Sequence, residues 1–499
     1  MLRQDEVIRL IFGFKLKYLR LQKGYSLQEL SRLTGLSTSY LHDIERAKKY
    51  PKLNKINALA AAFEVSYDDL VSTQSSKRMQ PIIDLLQSDF FKEFPLEEFG
   101  ISPSKLFELF SNTPDRVNAF ISTITKIARN YQLRNEHFYS AALRSFQDMY
   151  NNYFENLEVA TQIFRRNLHL SADRIYDIET LEGLLRDEYQ ITVERTQLAQ
   201  QAALQFHRSY FSTSKKTLYL NDKLSEPQER FSIGRELGFQ YLKLQERSYL
   251  TRLGRINSFE ELLNDFRASY FSAALLMEET QLKNDFQAFA QLPTWQPEAL
   301  LKLMQQYQVT PEMFLQRLTN LFVKHFDLHD IFFIRMSART ALEHFDMTKE
   351  LHLSRLHHPY TNEREEHYCR RWVSINILKK VATHDSSALL VDAQISKYWN
   401  TNNQYLCISI ATPTFANTHD YSSVTVGFLI NEKLRSLFHF LHDPNLSTHE
   451  VHTTCERCGI VNCNARKAPP QNMVRAQQLD AVKDAIQHLE QMEEVKVNA

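Results

Sequence analysis

The chain has 499 residues, with 59 Lys and Arg against 59 Asp and Glu, five Cys and only 10 Gly. At about 150 residues per domain, this length predicts three or more domains. No two glycines are separated by a single residue, which excludes the G-x-G-x-x-G dinucleotide motif, and no G-x-x-x-x-G-K-[ST] phosphate loop occurs. A nicotinamide-dependent enzyme and a P-loop ATPase are therefore disfavoured.

Three features predict a soluble cytoplasmic protein with no membrane partner. No run of 18 apolar residues occurs, so no membrane-spanning helix is expected. Asp5 and Glu6 near the first residue do not suit a signal or transit peptide. Three of the five cysteines crowd between positions 455 and 463, which disfavours a secreted disulfide framework.

The zero net charge conceals a basic N-terminal segment. Residues 1–55 carry twelve Lys and Arg against five Asp and Glu, which gives them a net charge of +7, so the remaining residues carry −7. A compact basic region attached to an acidic body is typical of a module that binds phosphates.

Local signals in the basic segment predict four short helices. Gly24 ends the first helix, Ser26 and Glu29 form a capping box that begins the second, Gly35 ends it, and Ser37 caps the third. Two helices joined by a tight turn within about 20 residues can place the second helix in a major groove. The residues expected to be buried in the third and fourth helices are Leu41, Ile44, Leu53, Ile56, Leu59 and Phe63.

Residues 26–70 resemble the Cro/repressor-type helix-turn-helix family, most clearly in the turn L-T-G-L-S at positions 33–37. One departure is Ala47, where the family usually has Gly. The resemblance implies a double-stranded DNA operator, commonly a palindrome read by a homodimer or higher homo-oligomer. By family position, the implied DNA-binding residues are Gln28 at a phosphate, Thr38, Ser39, Tyr40 and His42 at base edges, and Lys48 and Lys49 along the backbone.

The sequence divides into five predicted regions. A polar stretch that ends at Pro81 is typical of a linker, and the aromatic-rich helical pattern after it predicts a connector or dimerisation region. The predicted regions are 1–72, a helix-turn-helix DNA-binding domain; 73–81, a linker; 82–170, the helical connector; 171–320, a peptidase-like domain; and 321–499, a C-terminal sensor domain.

Residues 229–239 resemble the active-site helix of the ImmA/IrrE-type zinc metallopeptidases, whose pattern is R-F-x-x-x-H-E-L-G-H. The run 268–277 resembles the A-N-x-F-A-A-x-L-L-M that follows the third zinc ligand of that family. Arg235 and Phe239 occupy the two histidine positions of this motif, and Arg267 occupies the position of the acidic ligand. Glu236 remains in the general-base position.

These replacements predict a degenerate zincin-like α+β domain without catalysis, and therefore a protein that is not an enzyme. Neither a guanidinium nor a phenyl ring can ligate zinc. Without a metal-bound water, Glu236 has nothing to activate. The alternative is a regulator derived from a metallopeptidase, which binds or cleaves a protein partner and carries a structural zinc site.

The last third of the chain predicts a mixed α/β domain that ends in a long helix at about residues 472–493. Runs of β-type residues lie at 331–336, 388–392, 405–412 and 423–430, and alternation in the last run predicts a half-buried strand. Cys455, Cys458 and Cys463 form C-x₂-C-x₄-C, a spacing typical of metal or cluster binding. Two alternatives stand: a Cys₃His zinc site, or an iron–sulfur cluster with a more remote cysteine. The candidate fourth ligands are His449, His452, Cys369 and Cys407.

The full arrangement resembles the short-chain fatty acyl-CoA-sensing transcriptional regulators, which combine a repressor-type head, a degenerate ImmA/IrrE domain and a C-terminal C-x-x-C-x₄-C-x₂-R-x-x-P motif. The family also has a C-x-x-W motif, which residues 369–372 match. The resemblance implies a transcriptional regulator that responds to a short-chain acyl-CoA or related carbon metabolite. It favours a [4Fe–4S] cluster over zinc and assigns Cys407 to the core. The implied cluster ligands are Cys369, Cys455, Cys458 and Cys463.

Overall fold

A computed structural model describes residues 4–72, 98–100, 135–171, 175–247, 258–338, 344–352, 366–383, 389–414 and 420–497. The chain divides into two compact units. The first unit comprises residues 1–146, 246–248 and 255–264, and the second comprises 147–245, 249–254 and 265–499. The predicted linker at 73–81 and most of the predicted connector before residue 135 lie outside the described residues.

The N-terminal head consists of five helices around one apolar core. The Ser26–Glu29 capping box, the Ser37 cap and the positive φ angles of Gly24 and Gly35 confirm the sequence-based boundaries. The prediction for Leu53 was wrong: its side chain is 62% exposed, because it lies in the first turn of its helix. The five helices are α1 (Gln4–Gln22), α2 (Leu27–Thr34), α3 (Thr38–Glu45), α4 (Leu53–Phe63) and α5 (Tyr67–Val71).

The C-terminal end of α3 is fixed by its contacts with α1. Gly13 of α1 lies so close to α3 that a Cβ atom there would meet the carbonyl oxygen of Ile44 at 2.5 Å. Arg20 forms a two-pronged ion pair with the carboxylate of Glu45, with N–O distances of 2.6 and 3.0 Å. Ala47 closes the turn after α3 with a φ of +55°. The left-handed turn is therefore retained although Ala replaces the customary Gly.

The middle of the chain is an α+β arrangement with a small three-stranded sheet in the order β1-β3-β2. Strand β1 pairs in parallel with β3, and β2 pairs antiparallel with β3. The strands are β1 (Thr192–Glu194), β2 (Ser209–Ser212) and β3 (Thr217–Leu220). The helices are α6 (Asn135–Met149), α7 (Glu155–Asn167), α8 (Ile178–Tyr189), α9 (Gln197–Gln200), α10 (Glu226–Tyr241), α11 (Phe259–Leu276), α12 (Glu279–Ala290), α13 (Pro297–Gln306) and α14 (Pro311–Phe326).

A buried ion pair joins α7 to α14 within the second unit. The side chains of Arg317 and Glu158 are 0% and 5% exposed, and both guanidinium NH₂ groups of Arg317 donate to the Glu158 carboxylate. The hydroxyl of Tyr270 donates to the same carboxylate at 2.7 Å, and Nε of Arg317 donates to the carbonyl oxygen of Met277 at 3.2 Å. Buried charges are costly unless they are fully paired, and these contacts supply the partners. The same contacts join α7, α11 and α14.

The C-terminal part contains a six-stranded sheet in the order β5-β4-β8-β7-β6-β9, antiparallel except for the parallel pair β6 and β9. The strands are β4 (Ile331–Ala338), β5 (Phe345–His352), β6 (Leu390–Tyr398), β7 (Gln404–Pro413), β8 (Tyr421–Leu429) and β9 (Ser447–Val451). The helices are α15 (Val373–Thr383), α16 (Glu432–Leu437) and the terminal α17 (Gln471–Val497), with a 3₁₀ turn at His439–His442.

Both faces of this sheet are covered. Helix α15 packs against β6, β7 and β8 on one face, and α14 packs against β4, β7 and β8 on the other. The half-buried strand predicted around residues 423–430 was therefore wrong, because β8 is buried on both faces from Tyr421 to Phe428. Two of its hydroxyls have buried partners: Oγ1 of Thr425 lies 2.8 Å from Oγ of Ser409 on β7, and Oγ of Ser423 donates to the carbonyl oxygen of Ser374 at 2.6 Å. Across the described part of the chain, no helix has the length and apolarity needed to cross a membrane.

Candidate functional sites

The predicted DNA-contact residues lie on α2, on α3 and in the turn that follows α3. Gln28, Thr38, Ser39, His42, Lys48 and Lys49 are exposed, and Tyr40 is partly exposed. Oγ of Ser37 accepts from the backbone N–H of Tyr40 at 3.2 Å, which fixes the first turn of the helix. An exposed, capped helix start is what base-edge contacts require.

Lys49 also contacts the protein itself. Its Nζ lies 2.8 Å from Oδ2 of Asp43 and 5.8 Å from the ring centre of Tyr40. The hydrogen bond from Lys49 lowers the pKa of Asp43 below its ordinary value. Lys49 therefore neutralises an acid on α3 that would otherwise repel phosphates, whereas Lys48 is the more direct candidate for a phosphate contact.

The structure places an ion pair at the degenerate peptidase motif. Arg235 of α10 donates to Oδ1 of Asp265 on α11 at 2.7 Å, and its guanidinium stands 5.2 Å from the ring centre of Phe239. Glu236 is 2% exposed and accepts a hydrogen bond from Gln240 at 2.8 Å. The guanidinium of Arg235 thus pairs with the carboxylate of Asp265. This residue lies two positions before Arg267, the residue that the motif comparison placed at the acidic ligand position. Sequence reasoning missed Asp265.

Close packing of α10 against α11 holds this pair in place. A Cβ atom at Gly234 would lie 2.6 Å from Oγ of Ser272, and one at Gly238 would lie 3.1 Å from the carbonyl oxygen of Ala268. Both glycines stand in the motif that resembles the peptidase helix. The local scaffold of the motif is therefore present, while the residues at its ligand positions are not zinc ligands.

Two backbone segments bring the candidate metal-binding cysteines together. An antiparallel bridge joins Tyr368 to Thr454, and the backbone N–H of Cys369 donates to the carbonyl oxygen of Thr453 at 3.1 Å. Burial raises the pKa of the Cys369 thiol to about 11, and the neighbouring thiols of Cys458 and Cys455 add to the rise. Cys369 therefore lies beside the C-x₂-C loop.

Backbone N–H groups point at three of the four sulfur atoms. Lys467 donates to Sγ of Cys455 at 3.5 Å. Burial raises the pKa of Cys458, and a hydrogen bond from the backbone of Ile460 opposes the rise. Backbone groups of His452 and Arg371 oppose the rise at Cys369 in the same way. Donors of this kind stabilise thiolates and tune cysteine-bound metal centres.

Arg466 encloses the cysteine loop. Its guanidinium donates to four carbonyl oxygens, at distances from 2.7 to 3.4 Å. These acceptors belong to Cys455, Cys458, Ile460 and Ala468. The Arg in the C-x₂-R motif thus shapes the loop that carries the cysteines, and its charge also lowers the pKa of Cys458 against the effect of burial.

The cysteines suit a metal by ligand chemistry and by location, but their side chains do not form a ready-made site. In the described ranges, no three His, Cys, Asp or Glu side chains are arranged to hold a metal ion. Of the zinc alternatives, His452 lies 3.1 Å from Oγ1 of Thr453 through its Nδ1. His449 lines a cavity of about 370 Å³ that no cysteine lines.

Cys407 is a buried residue of the apolar cluster that also contains Cys369. It belongs to β7, is 6% exposed and packs in the apolar layer beneath α15. Burial raises the pKa of its thiol to about 12. This position agrees with the assignment of Cys407 to packing.

Comparisons with known proteins match two regions of the chain. Residues 16–70 match the Helix-turn-helix family, and residues 186–319 match the IrrE N-terminal-like domain family. These matches confirm a helix-turn-helix head and an IrrE-like middle domain. No curated protein matches the chain significantly. Among solved structures, a Mycobacterium tuberculosis transcriptional regulator is similar at 17% identity and a TM-score of 0.46, over 65% of this chain and 92% of that chain.

Proposed function

We propose that this protein is a sequence-specific DNA-binding transcriptional regulator that acts in the cytoplasm. The observation that carries the proposal is the helix-turn-helix head at residues 16–70, whose third helix presents an exposed, capped first turn. The net charge of +7 on residues 1–55 supplies the attraction to phosphates that such a head needs.

Removing base contacts and removing phosphate contacts are expected to give different results. Tyr40→Phe and His42→Ala are expected to reduce discrimination between operator and altered duplexes by about tenfold, because a good base contact contributes about 1–3 kcal/mol. Tyr40→Phe keeps the ring that packs on the head core. Lys48→Ala is expected to weaken binding to all duplexes. It is also expected to reduce the magnitude of the negative slope of log K against log salt by about 1. Fluorescence anisotropy at several salt concentrations measures both quantities.

The matched control for Lys48→Ala is Lys397→Ala, which removes the same charge from an exposed site on β6 of the second unit. We expect it to change neither the affinity nor the salt slope. Equal effects of the α3 variants and of Lys48→Ala on every duplex would contradict the assignment of base-reading residues.

We further propose that the middle domain has lost peptidase activity. The support is the pairing of Arg235 with Asp265 beside Phe239, at the motif where a peptidase would place its zinc ligands. Wild-type protein with added zinc is expected to cleave no more casein than buffer does, and Glu236→Gln is expected to behave identically. Zinc-dependent cleavage that Glu236→Gln abolishes would reverse this proposal and favour the metallopeptidase alternative.

The C-terminal part is proposed to sense a small molecule, a short-chain acyl-CoA or a related carbon metabolite. The support is the resemblance to the acyl-CoA-sensing regulators, carried by the C-x-x-W and C-x-x-C-x₄-C-x₂-R motifs. Such an effector changes operator affinity only as far as it binds one protein state more tightly than the other. A homodimer on a palindromic operator completes the proposal.

Cys369, Cys455, Cys458 and Cys463 are proposed to hold a [4Fe–4S] cluster, with a Cys₃His zinc site as the alternative. The support is the proximity of their thiols and the backbone N–H groups directed at three of the sulfurs. A bound cluster would supply a one-electron redox centre. The chain's own contribution is a loop that Arg466 encloses and a strand bridge that keeps Cys369 beside it.

A further inference from the structure

The C-x-x-W motif contains a buried arginine beside the first of the proposed cysteine ligands. Arg370 follows Cys369 directly, and 5% of its surface is exposed. The central carbon of its guanidinium lies 4.2 Å from the ring centre of Phe345 at the start of β5. The backbone N–H of Cys369 donates to the carbonyl oxygen of Thr453, two residues before Cys455, at 3.1 Å. Arg370 is therefore a cation held out of water, next to a segment that is bonded to the cysteine loop.

The charge of Arg370 acts on the cysteine loop and on another cation nearby. Burial lowers the pKa of Arg370, and the thiolate charge of Cys455 opposes this effect. Burial also lowers the pKa of Lys379 on α15, and the charges of Arg370 and Lys467 lower it further. The backbone N–H of Lys467 donates to Sγ of Cys455 at 3.5 Å. Like charges gathered at one place are stabilised by negative charge placed among them.

Metal binding at the cysteines would supply that negative charge. Cysteine ligates metals as a thiolate, so loading of the site adds negative charge that the metal only partly balances. Four thiolates exceed the charge of a zinc ion, or of an oxidised [4Fe–4S] core, by about two units. Three thiolates and a neutral imidazole exceed the charge of a zinc ion by about one unit. In both arrangements, a nearby fixed cation favours the loaded site over the empty one.

We propose that Arg370 is the buried counter-charge of the cysteine-bound metal centre. The inference rests on the proposed metal centre and names the residue that balances its charge inside the protein. Arg466 has a different part, because its guanidinium donates to four carbonyl oxygens and holds the shape of the loop. Arg370 acts through its charge. It therefore favours metal binding, and it favours the reduced form of a bound cluster, which carries an additional electron.

The first test uses zinc as the probe, because zinc binds to either set of ligands. The full chain is freed of metal with a chelator, and its zinc affinity is measured by competition with a chromophoric chelator. Arg370→Met removes the charge but keeps an unbranched side chain against Phe345. It is expected to weaken zinc binding at least about tenfold. The matched control, Arg475→Met, removes the same charge from an exposed site on α17. It is expected to leave the zinc affinity unchanged, because solvent screens that charge.

The second test measures the reduction potential of the iron–sulfur cluster in protein purified without oxygen. Arg370→Met is expected to make one-electron reduction at least about tenfold less favourable, which lowers the potential by about 59 mV. Arg370→Lys keeps a positive charge and is expected to recover most of the zinc affinity and most of the potential. Equal losses in the Met and Lys variants would contradict the proposal, because the shape of the side chain, and not its charge, would then decide the result.

Urea denaturation of the metal-free chains separates this role from a purely structural one. Because a buried cation is costly, metal-free Arg370→Met is expected to unfold at the same urea concentration as metal-free wild type, or at a higher one. A lower concentration would show that Arg370 supports the fold itself and would overturn the proposal.

The metal centre and its counter-charge fail differently. A wild-type chain that binds neither zinc nor a cluster would refute the metal centre. Tight metal binding that Arg370→Met leaves unchanged would refute only the counter-charge.

Discussion

Arg317→Met is expected to lower the free energy of unfolding of the second unit by about 3–5 kcal/mol, because it leaves Glu158 as a buried carboxylate without its counter-charge. Arg317 is fully buried and Glu158 is 5% exposed on its side chain. The hydroxyl of Tyr270 also donates to this carboxylate, but one neutral donor does not replace a guanidinium. Urea denaturation followed by tryptophan fluorescence reports this unit alone, since Trp295, Trp372 and Trp399 all belong to it.

Two controls make the Arg317 measurement specific. Arg186→Met removes the Arg of an exposed pair with Asp187, where the side chains are 68% and 66% exposed. It is expected to cause no measurable change in the free energy of unfolding. The double variant Arg317→Met with Glu158→Leu removes both charges and is expected to recover much of the loss. A double variant less stable than Arg317→Met alone would show that the residues pack apolar surface and do not act as a charge pair.

The pair also gives stability a dependence on pH. Burial by itself would raise the pKa of Glu158, but the charge and hydrogen bonds of Arg317 hold that pKa below its ordinary value of 4.5. A carboxyl whose pKa is lowered by folding contributes stability above its unfolded pKa, and that stability is lost as the pH falls through the folded value. The difference in stability between wild type and Arg317→Met is therefore expected to narrow as the pH falls through the ordinary glutamate pKa of 4.5 and below it.

The head could be predicted from the sequence because its boundaries depend on local signals. The Ser26–Glu29 capping box and the left-handed glycines at 24 and 35 each lie within a few residues of the helix end they define. Gly13 could not be identified in this way. Its importance lies in its contact with the carbonyl oxygen of Ile44, which is distant in sequence and is brought close only by the packing of α1 on α3.

The C-terminal sheet was predicted only in part. Strand pairing and strand burial depend on residues distant in sequence, which a local pattern does not show. Four of its six strands coincide with β-type runs, but β5 and β9 do not. The β9 sequence, S-T-H-E-V, is polar along most of its length and becomes a strand by pairing in parallel with β6 at the edge of the sheet. The alternation of hydroxyl and apolar residues in β8 indicated a solvent-facing side, yet the hydroxyls of Ser409 and Thr425 satisfy each other in the interior.

In the degenerate peptidase motif, too, the sequence predicted side-chain chemistry but not the contacts between helices. Motif comparison identified Arg235 and Phe239 as residues that cannot ligate zinc, because that conclusion depends only on side-chain chemistry. It did not identify Asp265 as the partner of Arg235, because the pairing depends on how α10 lies against α11. Likewise, the C-x₂-C-x₄-C spacing indicated a site locally, whereas the proximity of Cys369 follows from the Tyr368–Thr454 bridge.

Loss of any one of four cysteines is expected to remove the proposed metal centre. Protein purified without oxygen is expected to be brown, with broad absorbance at about 400 nm and about four irons per chain. Single Ser replacements at each ligand are expected to bleach the sample or leave a damaged cluster. The ligands proposed are Cys369, Cys455, Cys458 and Cys463.

Cys407→Ser is the matched control, because Cys407 is as buried as Cys369 and lies in the same apolar cluster, but belongs to neither the C-x-x-W nor the C-x₂-C-x₄-C motif. It is expected to leave the iron content and the spectrum unchanged. The ligand variants are also expected to unfold at lower urea concentration, because ligands on two distant segments clamp the segment that carries Cys369 to the 455–463 loop and metal binding adds to folding stability. A colourless protein with about one zinc per chain that is indifferent to Cys369→Ser would refute the cluster. That result would favour a Cys₃His zinc site using His449 or His452, with the loop held by Arg466 acting as a structural clip.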